Sequence, residues 1–193
     1  MEGRAATELM LIRHAPALTG GRLCGRTDVP ADCSDTARIA ALRACLGRPA
    51  QILVSPALRC QQTAAALWPD TESFSTDPDL WEQDFGEWEG MALALLPDIG
   101  PLRAADLAIH RPPKGESFAD LCARIGPALS RAANADGPVA IIAHAGTVRA
   151  GLALALGAVP PALAFEIDPL SLTRLRALPG GGWSVISVNE TSA

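Results

Sequence analysis

Three stretches of this 193-residue chain place arginine or histidine just after a short apolar run. The runs and the polar residues that follow them are 9–12 with Arg13 and His14, 51–54 with Arg59, and 138–143 with His144. Apolar runs of this length, bounded by turn signals, are typical of buried strands. In open α/β sheets, ligands bind at the carboxyl ends of strands. A guanidinium beside an imidazole at such an edge suits an anionic ligand and a proton-transfer or nucleophilic step.

The elements that must position these residues alternate between strand and helix. We predict helices from Ser34 or Asp35 to Leu46, from an N-cap at Ser55 with Pro56 to Trp68, from Ser117 to Asn134, and from Thr147 to Leu156. Further strands are predicted at 73–76, 164–167, 171–175 and 183–188, the last at a sheet edge. This pattern predicts an α/β fold, a three-layer α/β/α sandwich with a mainly parallel sheet.

The chain length fits a single domain spanning residues 1–193. Within it, prolines and glycines punctuate short helical pieces at about 91–115. We interpret this segment as an insertion over the C-terminal edge of the sheet, where it could act as a lid or a specificity loop.

Because the carboxyl ends of parallel strands share one edge, we expect Arg13, His14, Arg59 and His144 to converge. Guanidinium groups fit phosphate oxygens bidentately, so the sequence indicates a site for a multiply charged oxyanion such as phosphate. The loop at 17–30 is rich in glycine and arginine. Such a loop either brings backbone N–H groups close to the same anion or serves only as a surface connection.

Residues 79–90 mix acidic side chains with two tryptophans and a phenylalanine. An acid between aromatic rings holds its proton more readily, as a general acid requires. In the alternative interpretation, Trp81, Phe85 and Trp88 anchor a loop while the acids face water. We interpret His110, in the next segment, as a surface residue.

Composition excludes several classes of protein. A net charge of −5, with Lys114 as the single lysine, argues against nucleic acid as the main partner. Five cysteines without paired spacing favour reduced thiols in a cytoplasmic protein. We expect no signal peptide and no membrane span, because the apolar runs are too short or too broken.

Metal-dependent hydrolysis competes with imidazole chemistry, since histidines and acids are both available. The sequence contains no His-x-x-x-His or Glu-x-x-His spacing, no Gly-x-Ser-x-Gly elbow and no nucleotide-type phosphate loop. An imidazole nucleophile held among arginines remains.

Taken together, six segments resemble the histidine phosphatase superfamily, which also includes the phosphoglycerate mutases. They occur in family order over nearly the whole chain, at 11–15, 24–30, 55–64, 80–90, 113–117 and 144–149. Arg13–Ala15 is similar to the family's Arg-His-Gly signature, with Ala15 in place of glycine. Ala145 also replaces a common glycine, and Ala17 and Gly20 replace a hydroxyl residue and an asparagine near the phosphate.

The resemblance implies a metal-independent phosphomonoesterase with a phosphohistidine intermediate and no cofactor. It implies that the catalytic residues are Arg13, His14, Arg59, Glu82 and His144. It implies that substrate also contacts Gly25, Arg26 and Ala145. In this hypothesis His14, kept unprotonated with the help of Arg13, attacks phosphorus. Glu82 then exchanges protons with the leaving group and water, while Arg59 and a protonated His144 hold phosphate oxygens.

The short chain favours a phosphatase over a phosphoglycerate-type phosphomutase. The segments Phe85–Gly90 and Pro113–Ser117 resemble the α-ribazole phosphatase group of cobalamin assembly, so α-ribazole phosphate is a candidate among small phosphorylated metabolites. A non-catalytic protein that binds a phosphorylated ligand is a further alternative, and a homodimer remains open.

Overall fold

The computed structural model describes residues 5–191, with a six-stranded sheet at their centre. The strands are β1 (Thr7–Arg13), β2 (Gln51–Val54), β3 (Ser75–Thr76), β4 (Val139–Ala143), β5 (Leu172–Ala177) and β6 (Trp183–Glu190). Their order across the sheet is β3-β2-β4-β1-β5-β6. The first four strands pair in parallel, and β5 runs antiparallel to both of its neighbours. The predicted mainly parallel sheet is confirmed, and the edge strand predicted at 183–188 forms as Trp183–Glu190.

Helices cover both faces of this sheet. The α-helices are α1 (Thr36–Leu46), α2 (Leu58–Leu67), α3 (Ala104–Ile109), α4 (Phe118–Ala132) and α5 (Ala145–Leu156). Short 3₁₀ helices span Pro78–Leu80, Gly86–Trp88, Leu93–Leu95 and Pro160–Ala164. One hydrophobic cluster joins the sheet to α1 and α2, and a second joins it to α3, α4 and α5. The three predicted layers are therefore present.

The core explains why the apolar runs are unbroken. In β1, Leu9 and Leu11 pack towards α4 and α5, whereas Met10 and Ile12 pack towards α1 and α2. All four are at most 2% exposed. A strand buried on both faces needs apolar residues at every position. Each such side chain adds roughly 1.5–3 kcal/mol of burial free energy.

Side-chain caps place two of the helices as predicted. Asp35 accepts a hydrogen bond from the Arg38 N–H at 3.0 Å at the start of α1. Gly47, with a positive φ of 61°, follows its last residue. Ser117 and Asp120 form a reciprocal capping box at the start of α4. These contacts satisfy N–H groups that the first turn of a helix leaves free.

Two predicted helix starts and one predicted strand are wrong. Helix α2 begins at Leu58 with Ala57 as its N-cap, so Ser55 and Pro56 lie before it. Helix α5 begins at Ala145, two residues earlier than predicted. No strand forms at 164–167, where a 3₁₀ helix ends and nearby carbonyls accept hydrogen bonds from arginine side chains.

Within the segment at 91–115, helix α3 packs against α4 and against the 3₁₀ helix at Pro160–Ala164.

All five cysteines are free thiols, as expected from their number and spacing. In the described part of the chain, no helix has the length and apolar character needed to cross a membrane.

Candidate active site

The two predicted histidines stand side by side because their strands are neighbours. In the parallel pairing of β1 with β4, Arg13 lies opposite Ala143. The His14 N–H donates to the Ala143 carbonyl at 2.9 Å. His14 and His144 therefore leave the sheet at the same level. Their ring centroids are 5.3 Å apart and the rings are inclined by 68°, so one phosphate-sized anion can contact both.

His14 has the tautomer that a nucleophile needs. Its Nδ1 lies 2.6 Å from the Ala15 carbonyl oxygen. A carbonyl only accepts hydrogen bonds, so Nδ1 carries the proton and Nε2 of the neutral ring keeps its lone pair. Burial, followed by the positive charges of Arg59 and Arg13, lowers the pKa of His14 to about 3. Arg13 acts in the expected direction on this pKa, but burial and Arg59 contribute more.

His144 is fully buried, and a serine hydroxyl orients its ring. Ser55 Oγ lies 2.9 Å from His144 Nε2 and accepts a hydrogen bond from the Ala57 N–H at 3.4 Å. With one lone pair facing the Ala57 N–H, the Ser55 hydroxyl is free to donate to Nε2, and in that arrangement the His144 proton lies on Nδ1. Burial, followed by the charge of Arg59, lowers the pKa of His144 well below its usual range. The expectation of a protonated His144 is thus wrong for the free protein.

Two guanidiniums are held near these rings by carbonyl oxygens. Arg59 is 1% exposed and donates to the carbonyls of Gly25 at 2.8 Å and Thr27 at 3.3 Å. Arg13 donates to the Ile167 carbonyl. Among residues 5–191, neither arginine forms an ion pair. Neutral carbonyls fix the guanidiniums without cancelling their charge, which leaves both charges available to an anion.

Thr63 connects the segment after His14 with Arg59, and no sequence pattern led us to predict it. Its Oγ1 accepts from the Ala15 N–H at 2.9 Å and donates to the Arg59 carbonyl at 2.7 Å. Thr63 lies four residues after Arg59, and therefore on the same face of α2. That spacing is the signal that could have identified it.

Glu82 lies at the N-terminus of α5. Its Oε2 accepts a hydrogen bond from the Gly146 N–H at 3.2 Å. A Cβ atom at position 146 would collide with Oε1 of the same carboxylate, so this approach requires glycine. Ala145, the first residue of α5, belongs to the turn whose N–H groups have no partner within the helix. The predicted proton donor thus reaches the helix that begins directly after His144.

The loop at 25–27 binds an anion of the protein itself. The backbone N–H groups of Gly25, Arg26 and Thr27 donate to the Glu89 carboxylate at 2.8–3.2 Å, and the Thr27 hydroxyl donates at 2.6 Å. Although burial opposes it, the hydrogen bonds from Thr27 and Arg26 lower the pKa of Glu89 below its usual range. The predicted contact of this loop with an anion is thus made with Glu89. The loop's carbonyls hold Arg59.

The guanidinium of Arg26, another predicted substrate residue, contacts an aromatic ring and a carboxylate of the protein. Its guanidinium is 5.7 Å from the Trp81 ring centroid and 3.7 Å from a Glu116 oxygen. Glu116 is itself bound by Arg124, at 2.8 Å. The Arg26 side chain thus has one ion-pair partner and an Nε without a hydrogen bond, and its contact with substrate stays a prediction.

The other acids of residues 79–90 have structural partners. Asp84 accepts from the Gly86 N–H at 2.8 Å, Glu87 pairs with Lys114 at 2.8 Å and Asp79 pairs with Arg131 at 2.8 Å. Their environments differ from that of Glu82, although all belong to one short segment.

His110 is partly buried against Trp88, with ring centroids 5.7 Å apart, which corrects its prediction as a surface residue.

Among residues 5–191, no group of three or more His, Cys, Asp or Glu side chains is arranged to hold a metal ion. The cluster that does form combines a neutral imidazole with a free Nε2, two guanidiniums held by carbonyls and a carboxylate, a set suited to transfer of a phosphoryl group.

Several known proteins are similar to this chain in sequence and in fold. A glucosyl-3-phosphoglycerate phosphatase from Mycolicibacterium vanbaalenii is 32% identical over 168 residues, which cover 77% of this chain and 74% of that protein. The solved mycobacterial glucosyl-3-phosphoglycerate phosphatase superposes with a TM-score of 0.83 at 26% identity, covering 97% of this chain and all of the other. The α-ribazole phosphatase of Shigella flexneri has a TM-score of 0.79 at 20% identity over 95% of this chain and 96% of its own, a likeness of fold alone.

A bifunctional protein of Mycobacterium tuberculosis is 30% identical over 201 aligned positions that cover 96% of this chain. The chain spans about half of that relative, 54% of its length. The family described as "Histidine phosphatase superfamily (branch 1)" matches residues 9–191, from the first buried strand to the last. With paired histidines and guanidiniums at the expected strand ends and a match over nearly its whole length, this chain belongs to the histidine phosphatase superfamily.

Proposed function

We propose that this phosphatase is a metal-independent phosphomonoesterase that acts on a small phosphorylated metabolite through a phosphohistidine intermediate. One observation carries the proposal. His14 is neutral, carries its proton on Nδ1 and stands 5.3 Å from the His144 ring beside two guanidiniums that form no ion pair among residues 5–191. This arrangement suits an in-line attack on a bound phosphate dianion.

In the first step, the lone pair of His14 Nε2 forms a bond to phosphorus. The bond from phosphorus to the ester oxygen breaks, and the leaving oxygen takes a proton from the Glu82 carboxyl group. Arg13, Arg59 and the Nδ1–H of His144 hold the three equatorial oxygens. N–H groups of the first turn of α5 face the same negative charge.

In the second step, the Glu82 carboxylate takes a proton from a water molecule, whose oxygen attacks phosphorus. The bond between nitrogen and phosphorus breaks, its electron pair returns to His14, and inorganic phosphate leaves. Glu82 is protonated again and the cycle closes. Proton transfer of this kind contributes about 10²–10⁴-fold to the rate.

Two substrates are candidates for this site. The sequence resemblance of Phe85–Gly90 and Pro113–Ser117 supports α-ribazole phosphate. The name of the 32%-identical relative supports glucosyl-3-phosphoglycerate. Both are phosphomonoesters of a bulky alcohol, so the chemistry at phosphorus is the same and only recognition of the alcohol differs.

The proposal is tested with His14→Ala and the wild-type protein on phosphomonoesters labelled with ³²P. We expect the variant to lose at least about 10³-fold in turnover, because no other group supplies the attacking lone pair. Rapid quenching in base should trap label on wild-type protein and none on the variant. Circular dichroism checks that both proteins are folded.

Turnover without any trapped label, together with a fully active His14→Ala variant, would overturn the proposal. Tight binding of phosphate without turnover would indicate the binding protein instead. Transfer of label to a second phosphorylated molecule, rather than to water, would indicate the mutase.

A further inference from the structure

A cavity of about 260 Å³ lies beside the proposed site, and the proposed chemistry does not use it. Eleven residues line it, and all are apolar except Gln83 and His110. No carboxylate, lysine or arginine is present in its wall, so its polar side chains are those of Gln83 and His110 alone. A wall of this composition favours a neutral, hydrophobic occupant.

The cavity shares a wall with the phosphate site. Gln83 directly follows Glu82, and the Gln83 carbonyl and Phe85 ring press so closely on Gly25 that a Cβ there would collide with both. On its other side, Gly25 uses its carbonyl to hold Arg59 at 2.8 Å. The backbone segment that carries Gly25 therefore lies between the cavity and the Arg59 guanidinium.

Helix α4 connects the cavity to the side of the site from which the leaving group departs. Phe118, the first residue of α4, lines the cavity. One turn later in α4, Leu121 packs against Gly146, the residue whose N–H binds Glu82. Since Glu82 gives its proton to the leaving oxygen, the alcohol part of a substrate lies on this side of the phosphate.

The walls offer flat faces and aliphatic edges. The rings of Trp88 and His110 lie 5.7 Å apart, inclined by 32°. Leu96, Ile99 and Leu107, all from the segment at 91–115, complete the apolar lining. Leu107 is 39% exposed and so lies where the cavity meets solvent. Aromatic faces of this kind stack on planar ligands.

We propose that this cavity binds an apolar ring carried by the alcohol part of the substrate, with residues 91–115 closing over that ring. The inference rests on the proposed function, because only a phosphate held by the two arginines places the alcohol there. Between the two candidates, it favours the class with a bicyclic aromatic base, such as α-ribazole phosphate. A sugar–carboxylate would bring several hydroxyls and a negative charge against a wall in which Gln83 and His110 are the only polar side chains.

The test compares 2-(1-naphthyl)ethyl phosphate with ethyl phosphate. Both leaving groups are primary alcohols, so both need the same help from Glu82. For the wild type we expect a kcat/KM at least about tenfold higher with the naphthyl ester. Leu107→Gln should reduce that preference about tenfold, because an amide then faces the ring.

Ile109→Gln is the matched control. Ile109 lies on the same short helix and is 68% exposed, outside the cavity lining. It undergoes a similar change in side-chain polarity, and we expect the preference to stay at the wild-type value. A second measurement needs only the wild type: benzimidazole should inhibit hydrolysis of p-nitrophenyl phosphate competitively, and glucose at the same concentration should not.

Equal kcat/KM for the two esters in the wild type, or equal preference in the Leu107 and Ile109 variants, would overturn the ring site and leave the phosphatase proposal intact. If Leu107→Gln does not fold, the comparison of benzimidazole with glucose decides, and equal inhibition by both contradicts the ring site. Absence of hydrolysis with every ester would instead contradict the proposed function. The cavity is then judged by equilibrium binding of benzimidazole, and absence of binding overturns it.

Discussion

At the scale of single residues, the chemistry depends on where protons are placed. His14 donates from Nδ1 to the Ala15 carbonyl, and His144 has its Nε2 against the Ser55 hydroxyl. Both imidazoles are neutral in the free protein because burial disfavours their charged forms. A dianionic substrate then meets positive charge from the guanidiniums alone, which need no proton from solvent.

Replacing Glu82 tests its role as proton donor. We expect Glu82→Gln to slow hydrolysis of alkyl phosphates by about 10²–10⁴-fold, because a poor leaving group needs the proton. Activated aryl esters such as p-nitrophenyl phosphate should lose far less. The ratio of kcat/KM for the two classes of ester is the measurement.

Glu87→Gln is the control for that experiment. It changes an exposed carboxylate in the same segment, one that pairs with Lys114 at 2.8 Å, and the ratio should not move. Equal losses for alkyl and aryl esters in Glu82→Gln would remove Glu82 from the acid role.

The low pKa of His14 also predicts how stability depends on pH. At pH 7, the imidazole is neutral in both the folded and the unfolded chain and contributes nothing. Between about pH 6.5 and the folded pKa of about 3, the unfolded chain binds a proton that the folded chain does not, so stability falls as pH falls.

Replacing His14 by Asn should remove part of this loss. Chemical denaturation at pH 7 and pH 4.5 measures the free energy of unfolding. We expect the decrease between the two values to be smaller in His14→Asn than in the wild type by up to about 3 kcal/mol. An identical decrease in both proteins would show that the folded His14 titrates normally.

At the scale of elements, the turn that carries Glu89 positions the loop at 25–27. The Glu89 carboxylate accepts from three consecutive N–H groups of that loop, and two carbonyls of the same loop hold Arg59. Glu89 is therefore a positioning residue for Arg59, and it belongs to the apparently uniform acidic segment at 79–90.

We expect Glu89→Ala to lower kcat/KM by about 10²-fold through displacement of Arg59, with Glu89→Gln recovering part of the loss. A double-mutant cycle with Arg59→Ala separates this role from general stability. If Glu89 acts through Arg59, its replacement should cost little in the Arg59→Ala protein. Fully additive losses, with affinity for vanadate unchanged by Glu89→Ala, would contradict the positioning role.

The start of α2 shows how a local pattern can mislead at this scale. Ser-Pro is a favourable helix start, yet α2 begins at Leu58. The Ser55 hydroxyl lies against His144, which follows strand β4 and is far away in the sequence. The Ser55 hydroxyl, which the Ser-Pro pattern predicted as the N-cap of α2, contacts His144 instead.

At the scale of the whole molecule, the site draws its positive charge from arginines on two separate segments of a chain whose net charge is −5. If these guanidiniums perform the electrostatic work, turnover of p-nitrophenyl phosphate should be unchanged after dialysis against EDTA. Vanadate, which can take up the trigonal geometry of the transferred phosphoryl group, should inhibit competitively. Loss of activity in EDTA that returns with a divalent cation would favour metal chemistry.

The sequence by itself determined the class of the fold and most members of the site. Periodicity and turn signals predicted β1, β2 and β4; Arg13 ends β1, and His14 and His144 directly follow β1 and β4. The same reasoning failed at 164–167, where four apolar or acidic residues form no ladder and nearby carbonyls bind arginines instead. The secondary structure of a short segment without a clear hydrophobic periodicity depends on the residues that pack against it.

Only the tertiary structure decided that β4 lies between β1 and β2, which brings His14, His144 and Ser55 together. It also decided that Glu82, among the acids of residues 79–90, reaches the N-terminus of α5, and that both imidazoles are neutral. The physical reason is that strand order, burial and desolvation depend on contacts between residues distant in the chain. Local patterns specify which residues stand at strand ends, and the packing of those strands specifies which of them meet.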